Sequence, residues 1–192
     1  MNQLDSDDWA DVVEPPIRYA ICDVRGRLQA TLVRHPDKRF AWYDAAGRLG
    51  LGGIGVCSLP LYGSELLRRI PNDTMVLVVE GAKAAEALRR CAIPALATIT
   101  GAAATPSRAV LEVLRGRPVT LWPDHDCVGR EHMRRIGELL VDIAAEVWWI
   151  EPDSRLPIGG DAADVQPDEL ARHFVRAVKF GANPRASRVS ST

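Results

Sequence analysis

Met75-Val76-Leu77-Val78-Val79 runs into Glu80-Gly81, and Val119-Thr120-Leu121-Trp122-Pro123 runs into Asp124-His125-Asp126. In both stretches a short, β-branched, apolar run stops at carboxylates. That reads as a buried strand whose carboxyl end carries acids. A third acidic cluster, Gly159-Gly160-Asp161-Ala162-Ala163-Asp164, follows the strand-like Val147-Trp148-Trp149-Ile150. Acids collected at the carboxyl ends of neighbouring parallel strands would face the crevice where open α/β sheets bind ligands. They are also the hard oxygen donors that a divalent cation such as Mg2+ requires.

The flanking chain supports parallel strands. Strand-like segments at 75–79, 95–99, 119–122 and 146–150 alternate with helix-like segments at 83–91, 106–114 and 128–145. This is the rhythm of a parallel sheet covered by helices on both faces. In the longest helix Met133, Ile136, Leu140, Ile143 and Val147 recur every three or four residues, which marks one buried stripe. A last amphipathic helix is expected over 167–180, with Leu170, Phe174 and Val178 on one face, and a short helical stretch at 64–69. Upstream the rhythm is that of hairpins. Tyr19-Ala20-Ile21-Cys22 and the run 28–33 flank the turn Asp23-Val24-Arg25-Gly26-Arg27, and a third strand follows near 39–43. The expected organisation is a flexible acidic leader at 1–16, a small antiparallel β subdomain at 17–70, an α/β domain with a C-terminal helix at 71–180, and a disordered tail at 181–192.

Composition excludes more than it selects. The chain has 192 residues, 24 basic and 25 acidic side chains and a net charge of −1, so no global cationic field advertises nucleic acid. A local basic cluster can still bind phosphates. Cys22, Cys57, Cys91 and Cys127 form no C-x-x-C pair, so neither a structural zinc module nor a disulfide scaffold is expected. No signal peptide and no apolar run near the ~18 residues of a membrane span is visible. The cytoplasm is the expected compartment, with no membrane partner.

Each acid has a plain structural alternative. Glu80 would cap the helix opened by Gly81, Asp124 or Asp126 would cap the helix beginning near Val128, and Asp161 and Asp164 would be an ordinary acidic loop. His125 ranks below the aspartates as a metal ligand. Lys83, Gly81, Gly129 and Arg130 sit where helix starts could receive a phosphate. Arg25, Arg27, Arg34, Lys38 and Arg39, interleaved with Phe40, Trp42 and Tyr43, could hold a single strand by charge and stacking. An amphipathic sheet with a solvated outer face explains the same residues.

Taken in order, the segments 78–88, 121–130 and 160–164 resemble the Toprim domain, and more narrowly the version in phage- and plasmid-type DNA primases and primase-helicases. The carrying motifs are Glu80-Gly81 after a strand, Pro123-Asp124-x-Asp126-x-x-Gly129, and Gly160-Asp161-Ala162-x-Asp164. Gly50-Leu51-Gly52-Gly53, followed by Leu59-Pro60-Leu61-Tyr62, is similar to the segment that precedes the domain in those proteins. The resemblance covers about 17–165. It implies a Toprim-like Rossmannoid sheet of about four parallel strands, and Mg2+, with Mn2+ as a substitute, held by Glu80, Asp124, Asp126 and Asp161. Glu80, Asp124 and Asp126 would be catalytic, Glu80 as general acid/base. The implied function is a primase-like nucleotidyltransferase acting on single-stranded DNA and nucleotides in a phage, plasmid or other mobile element. A helicase or a zinc-binding module on another chain would be a partner.

Two departures stand out. Ala82 replaces a second acid that many relatives carry, and Glu86 stands where an aspartate is usual. No G-x-x-x-x-G-K-[ST] loop occurs in the sequence. A Toprim nuclease and a non-catalytic nucleic-acid-binding module therefore remain alternatives, and whether the chain is whole or part of a larger primase stays open. A topoisomerase is disfavoured because Tyr19, Tyr43 and Tyr62 all precede the acidic motifs.

Overall fold

A computed structural model describes residues 14–181. The expectations for the leader through residue 13 and for the tail from 182 lie outside them. Chain order is β1 (Ile17–Cys22), β2 (Leu28–Arg34), β3 (Phe40–Asp44), β4 (Val76–Val79), α1 (Ala82–Arg90), β5 (Ala95–Ala97), α2 (Arg108–Leu111), β6 (Pro118–Leu121), α3 (Cys127–Leu140), β7 (Glu146–Trp149), α4 (Leu170–Val175) and β8 (Val178–Lys179). Strands β1-β2-β3 form an antiparallel sheet; a second sheet has the order β5-β4-β6-β7-β8. The four strands β5, β4, β6 and β7 are parallel, and β8 is an antiparallel edge strand on β7.

Strand alternation explains the layering. Val76 and Val78 of β4 pack with Val119 and Leu121 of β6 beneath α2 and α3, against Leu111, Met133, Ile136 and Leu140. Leu77 and Val79, pointing the other way, pack on α1 and α4 through Ala84, Ala85, Leu88 and Leu170. All four residues of β4 are buried, so both faces of the central strand are covered, as in a helix-sandwiched parallel sheet. The antiparallel sheet docks through Tyr19, Ile21 and Ala30, which share a core with Leu59 and Ala82. The connecting segment pairs Tyr62 with Ala97 just beyond the edge of β5.

Several boundaries differ from expectation. The stretch Ser64–Arg69 is a 3-10 helix. Helix α3 stops at Leu140, and Val147 belongs to β7 rather than to the helical stripe. The final helix covers only Leu170–Val175, and the chain then turns into β8, which makes the second sheet five-stranded. Leu170 is buried and Phe174 packs on the core, but Val178 is an exposed strand residue. The helix ends because bonding the Phe180 N–H to the Val147 carbonyl at 2.8 Å seats the Phe180 ring against α3 at Gly137, where a Cβ would lie 2.5 Å from the ring. That tertiary seat outweighs helix continuation, which periodicity alone favoured. No cysteine is fully buried: Cys127 is exposed and the other three are half-buried, with Cys91 packed against the core. No helix among the described residues is long and apolar enough to cross a membrane.

Candidate active site

The acids meet at the carboxyl edge of the parallel sheet. Strand β4 delivers Glu80 and β6, its neighbour, delivers Asp124 three residues past its end. Glu80 does not cap α1, whose N-cap is Gly81 without a side-chain hydrogen bond. Its Oε1 instead accepts the Asp124 N–H at 3.0 Å, joining the two strand ends. Helix α3 closes over this bond at Gly129, where a Cβ would collide with Glu80 Oε1 and come within 3.1 Å of Asp124 Cβ. Only a residue without a side chain lets the helix approach so closely.

Asp126 does cap α3, accepting the Gly129 N–H at 2.6 Å. The helix-cap alternative therefore holds for this acid without removing it from the cluster. Asp161 caps the 3-10 turn Ala162–Asp164 in a reciprocal capping box with Asp164. His125 brings that turn into place. Its backbone N–H donates to the Gly160 carbonyl at 2.8 Å and its carbonyl accepts the Gly159 N–H at 3.1 Å. The imidazole Nδ1–H donates to the Leu156 carbonyl at 2.8 Å, so His125 acts by holding the 156–160 loop against the strand end.

Electrostatically, Asp124 senses the three other acids. Asp124 is pushed up to about 8 by burial and by Glu80, Asp161, Asp126 and Asp164. Burial also raises Glu80, with Asp126 and Asp161 adding to it against the opposing Asp124 N–H. Asp161 is raised by burial against the Ala163 N–H and the Lys83 ammonium. Lys83 reaches Asp164 at 3.4 Å and Asp161 at 3.8 Å. Among the described residues no hydrogen bond reaches the Asp124 carboxylate, a half-buried acid facing three others; a proton or a cation would relieve the repulsion. The donor set, all carboxylate oxygen, fits a hard divalent ion. Among the described residues no three acidic, histidine or cysteine side chains are grouped closely enough to hold a metal ion as they stand; Glu80, Asp126 and Asp161 each spend an oxygen on a backbone N–H.

Beside the acids lies a cleft of about 510 Å³, walled by β2 and β3 on one side and by Glu80, Gly81, Lys83 and Asp161 on the other. Sheet register builds its first wall. Leu32 lies opposite Tyr19 and Trp42, and Arg34 opposite Ile17 and Phe40. Opposite residues share a face, so Tyr19, Leu32 and Trp42 form one row and Arg34 and Phe40 the next. Tyr43 falls on the other face, under the Arg18 guanidinium at 5.6 Å. Arg34 is near enough to Asp161 to oppose, weakly, the rise of its carboxyl.

Of the basic residues singled out from sequence, Arg34 lines the cleft with Trp42. Arg25 and Arg27 sit in the β1–β2 turn at the far end of β2, where Arg27 pairs with Asp23 at 2.7 Å. Lys38 and Arg39 lie in the β2–β3 turn, and Arg39 pairs with Asp37 at 2.6 Å. Arg130 is turned to Glu151 at 2.7 Å. Glu86 accepts the Tyr62 hydroxyl at 2.6 Å.

Two residues that sequence reasoning passed over adjoin the site. Thr98, just past β5, donates its hydroxyl to the Glu80 carbonyl at 3.2 Å. Fully buried His132 meets the same hydroxyl through Nε2 at 3.1 Å. His132 is in phase with Gly129, Ile136 and Leu140 on the buried stripe of α3, which was the signal available in the sequence.

The fold has clear counterparts among solved structures. A DnaG primase catalytic domain bound to single-stranded DNA matches with a TM-score of 0.63 and 18% identity, over 85% of this chain and 53% of that one. The Aquifex aeolicus primase, spanning its zinc-binding and RNA polymerase domains, matches with 0.65 and 19%, over 92% and 44%. The primase fragment of the bacteriophage T7 primase-helicase matches with 0.54 and 18%, over 82% and 60%. This chain thus spans about half the length of the DnaG catalytic domain. No protein-family model and no curated protein sequence matches it. The fold expected from the Toprim resemblance, that of a primase catalytic core, is the fold observed.

Proposed function

We propose that the chain is the core of a primase-type nucleotidyltransferase that joins nucleotides on single-stranded DNA with the help of Mg2+ or Mn2+. The observation that carries the reading is the meeting of Glu80, Asp124, Asp126 and Asp161 beside a cleft walled by Trp42, Phe40 and Arg34. Asp124, Asp126 and Asp161, with Glu80 adjoining, would hold the ion. Bound there, it would neutralise charge on the reacting phosphate and lower the pKa of the attacking 3′-hydroxyl. Glu80, whose carboxyl is raised by burial, would serve as the general base. Its carboxylate, fixed by the Asp124 N–H, would take the proton from the attacking hydroxyl.

Lys83 and the first turn of α1 supply positive potential on the cleft floor for triphosphate oxygens. Leaving Asp161 and Asp164 for a phosphate lets Lys83 follow the charge once a cation occupies the acids. Trp42 and Phe40 offer flat faces for bases, and Arg34 a guanidinium for the backbone. The setting of phage, plasmid or mobile-element replication, and a helicase or zinc-binding partner on another chain, belong to the same proposal.

The test combines the protein with single-stranded DNA, labelled nucleotides and Mg2+ or Mn2+. Metal-dependent labelled oligonucleotides are expected, and Glu80→Ala or Asp124→Ala should abolish them. Metal-dependent shortening of the DNA would assign the same acids to hydrolysis instead. DNA binding with no product in either metal would leave a non-catalytic binding module.

A further inference from the structure

The Glu80 peptide at the end of β4 is fastened through Thr98. Its carbonyl accepts the Thr98 hydroxyl, while the Val79 carbonyl before it accepts the Thr98 N–H at 2.9 Å and the Gly81 carbonyl after it accepts the Ala85 N–H at 3.1 Å. Thr98 thus fastens two consecutive peptides of the strand end. A threonine hydroxyl has one proton. With that proton on the Glu80 carbonyl, the 3.1 Å contact to His132 requires Nε2 to be the donor and the hydroxyl oxygen the acceptor. Nδ1 of His132, buried and without a partner, is then the bare nitrogen. A bare acceptor costs less in that place than an unpaired N–H.

We infer that His132, as its Nε2–H tautomer, is a positioning residue that sets Glu80 through Thr98. The chain of contacts runs from α3 to the Thr98 hydroxyl, to the Glu80 carbonyl, and through that residue to its carboxylate on the Asp124 N–H. Helix α3 therefore holds Glu80 from two points one turn apart. Bare Gly129 lets the helix close on the carboxylate, and His132, three residues on, fixes the carbonyl. Burial keeps the imidazole uncharged, down to about 4, so the donor pattern is constant at neutral pH. Supporting contacts of this kind typically govern metal affinity by about 10–100-fold.

The inference rests on the proposed role of Glu80, so its test reads the positioning directly. Nitrogen NMR of labelled histidines in the metal-free protein should show His132 protonated on Nε2. Thr98→Val and His132→Leu should each speed hydrogen exchange of the Asp124 amide by about tenfold and weaken Mn2+ binding by a similar factor. The pair together should lose little more than either alone, because both act on one chain of contacts. Thr98→Ser and His132→Gln, which keep the hydroxyl and a donor near the Nε2 position, should stay within about twofold of the parent. An Nδ1–H tautomer, or a folded Thr98→Val protein with parental Asp124 exchange, would overturn the inference. If the parent bound no Mn2+, the metal reading would fall, while the Asp124 amide would still decide the positioning role.

Discussion

Asp124 concentrates the physics of this molecule in one side chain. A half-buried carboxylate beside three others is costly, and it is raised from an ordinary 3.8 to about 8. The folded state therefore binds this proton more tightly than the unfolded state does. Stability from it is complete below the unfolded value and is lost as pH rises through about 8. His132, held near 4, is neutral throughout the upper range and does not confuse the reading. Urea unfolding of the metal-free protein should consequently show stability declining from about pH 5 to about pH 8 and levelling off above it. Asp124→Asn should remove this part of the slope and stabilise the metal-free chain at pH 8 by at least about 1 kcal/mol, while Mg2+ should stabilise the parent and not the variant. A variant no more stable than the parent at pH 8 would mean that the acids are relaxed without a cation. The acids were legible one by one, each following a β-branched run. His132 and Thr98 were not, because an interior histidine on an apolar stripe and a threonine past a strand carry no motif. Their meaning lies in a contact between positions 34 residues apart in sequence.

Among the elements, strands β4 and β6 and helix α3 were visible from period and composition, since all three bury long apolar stripes. The C-terminal segment departs from its helical period for a definite reason. Leu170, Phe174 and Val178 have helical spacing, yet the chain gains more by pairing Val178 and Lys179 with β7 and seating Phe180 on Gly137 and Trp149. Gly137→Ala tests that account. Alanine would favour the helix by about 1 kcal/mol, but its methyl would occupy the Phe180 ring position, and overpacking of this kind costs about 1–3 kcal/mol. A net loss of stability is expected, with faster exchange of the Phe180 amide on Val147. A net gain would show that β8 is not held by this contact.

At the scale of the whole molecule, the site is a joint product of two sheets. The parallel sheet carries the acids, and the antiparallel sheet presents Trp42, Phe40 and Arg34 across the cleft. The basic residues grouped together by sequence divide accordingly, with Arg34 at the cleft and Arg25 and Arg27 at the opposite end of β2. Arg34→Ala and Trp42→Ala should each weaken single-stranded DNA or nucleotide binding by roughly tenfold, as expected for loss of one stacking or phosphate contact. Arg25→Ala and Arg27→Ala should stay within about twofold under the same conditions. Equal losses from both groups would move the binding surface off the cleft.

The amino-acid sequence by itself determined the strand–helix alternation, the parallel sheet and the order of the acids along it. These follow from local patterns of two and 3.6 residues and from carboxylates at strand ends. Only the tertiary structure decided which charges face one another. It turned Arg130 to Glu151, set His125 to hold a loop and brought His132 to Thr98. The physical reason is range: backbone period is written in neighbouring residues, whereas a pKa or a hydrogen-bond partner depends on groups that only packing brings within a few ångströms.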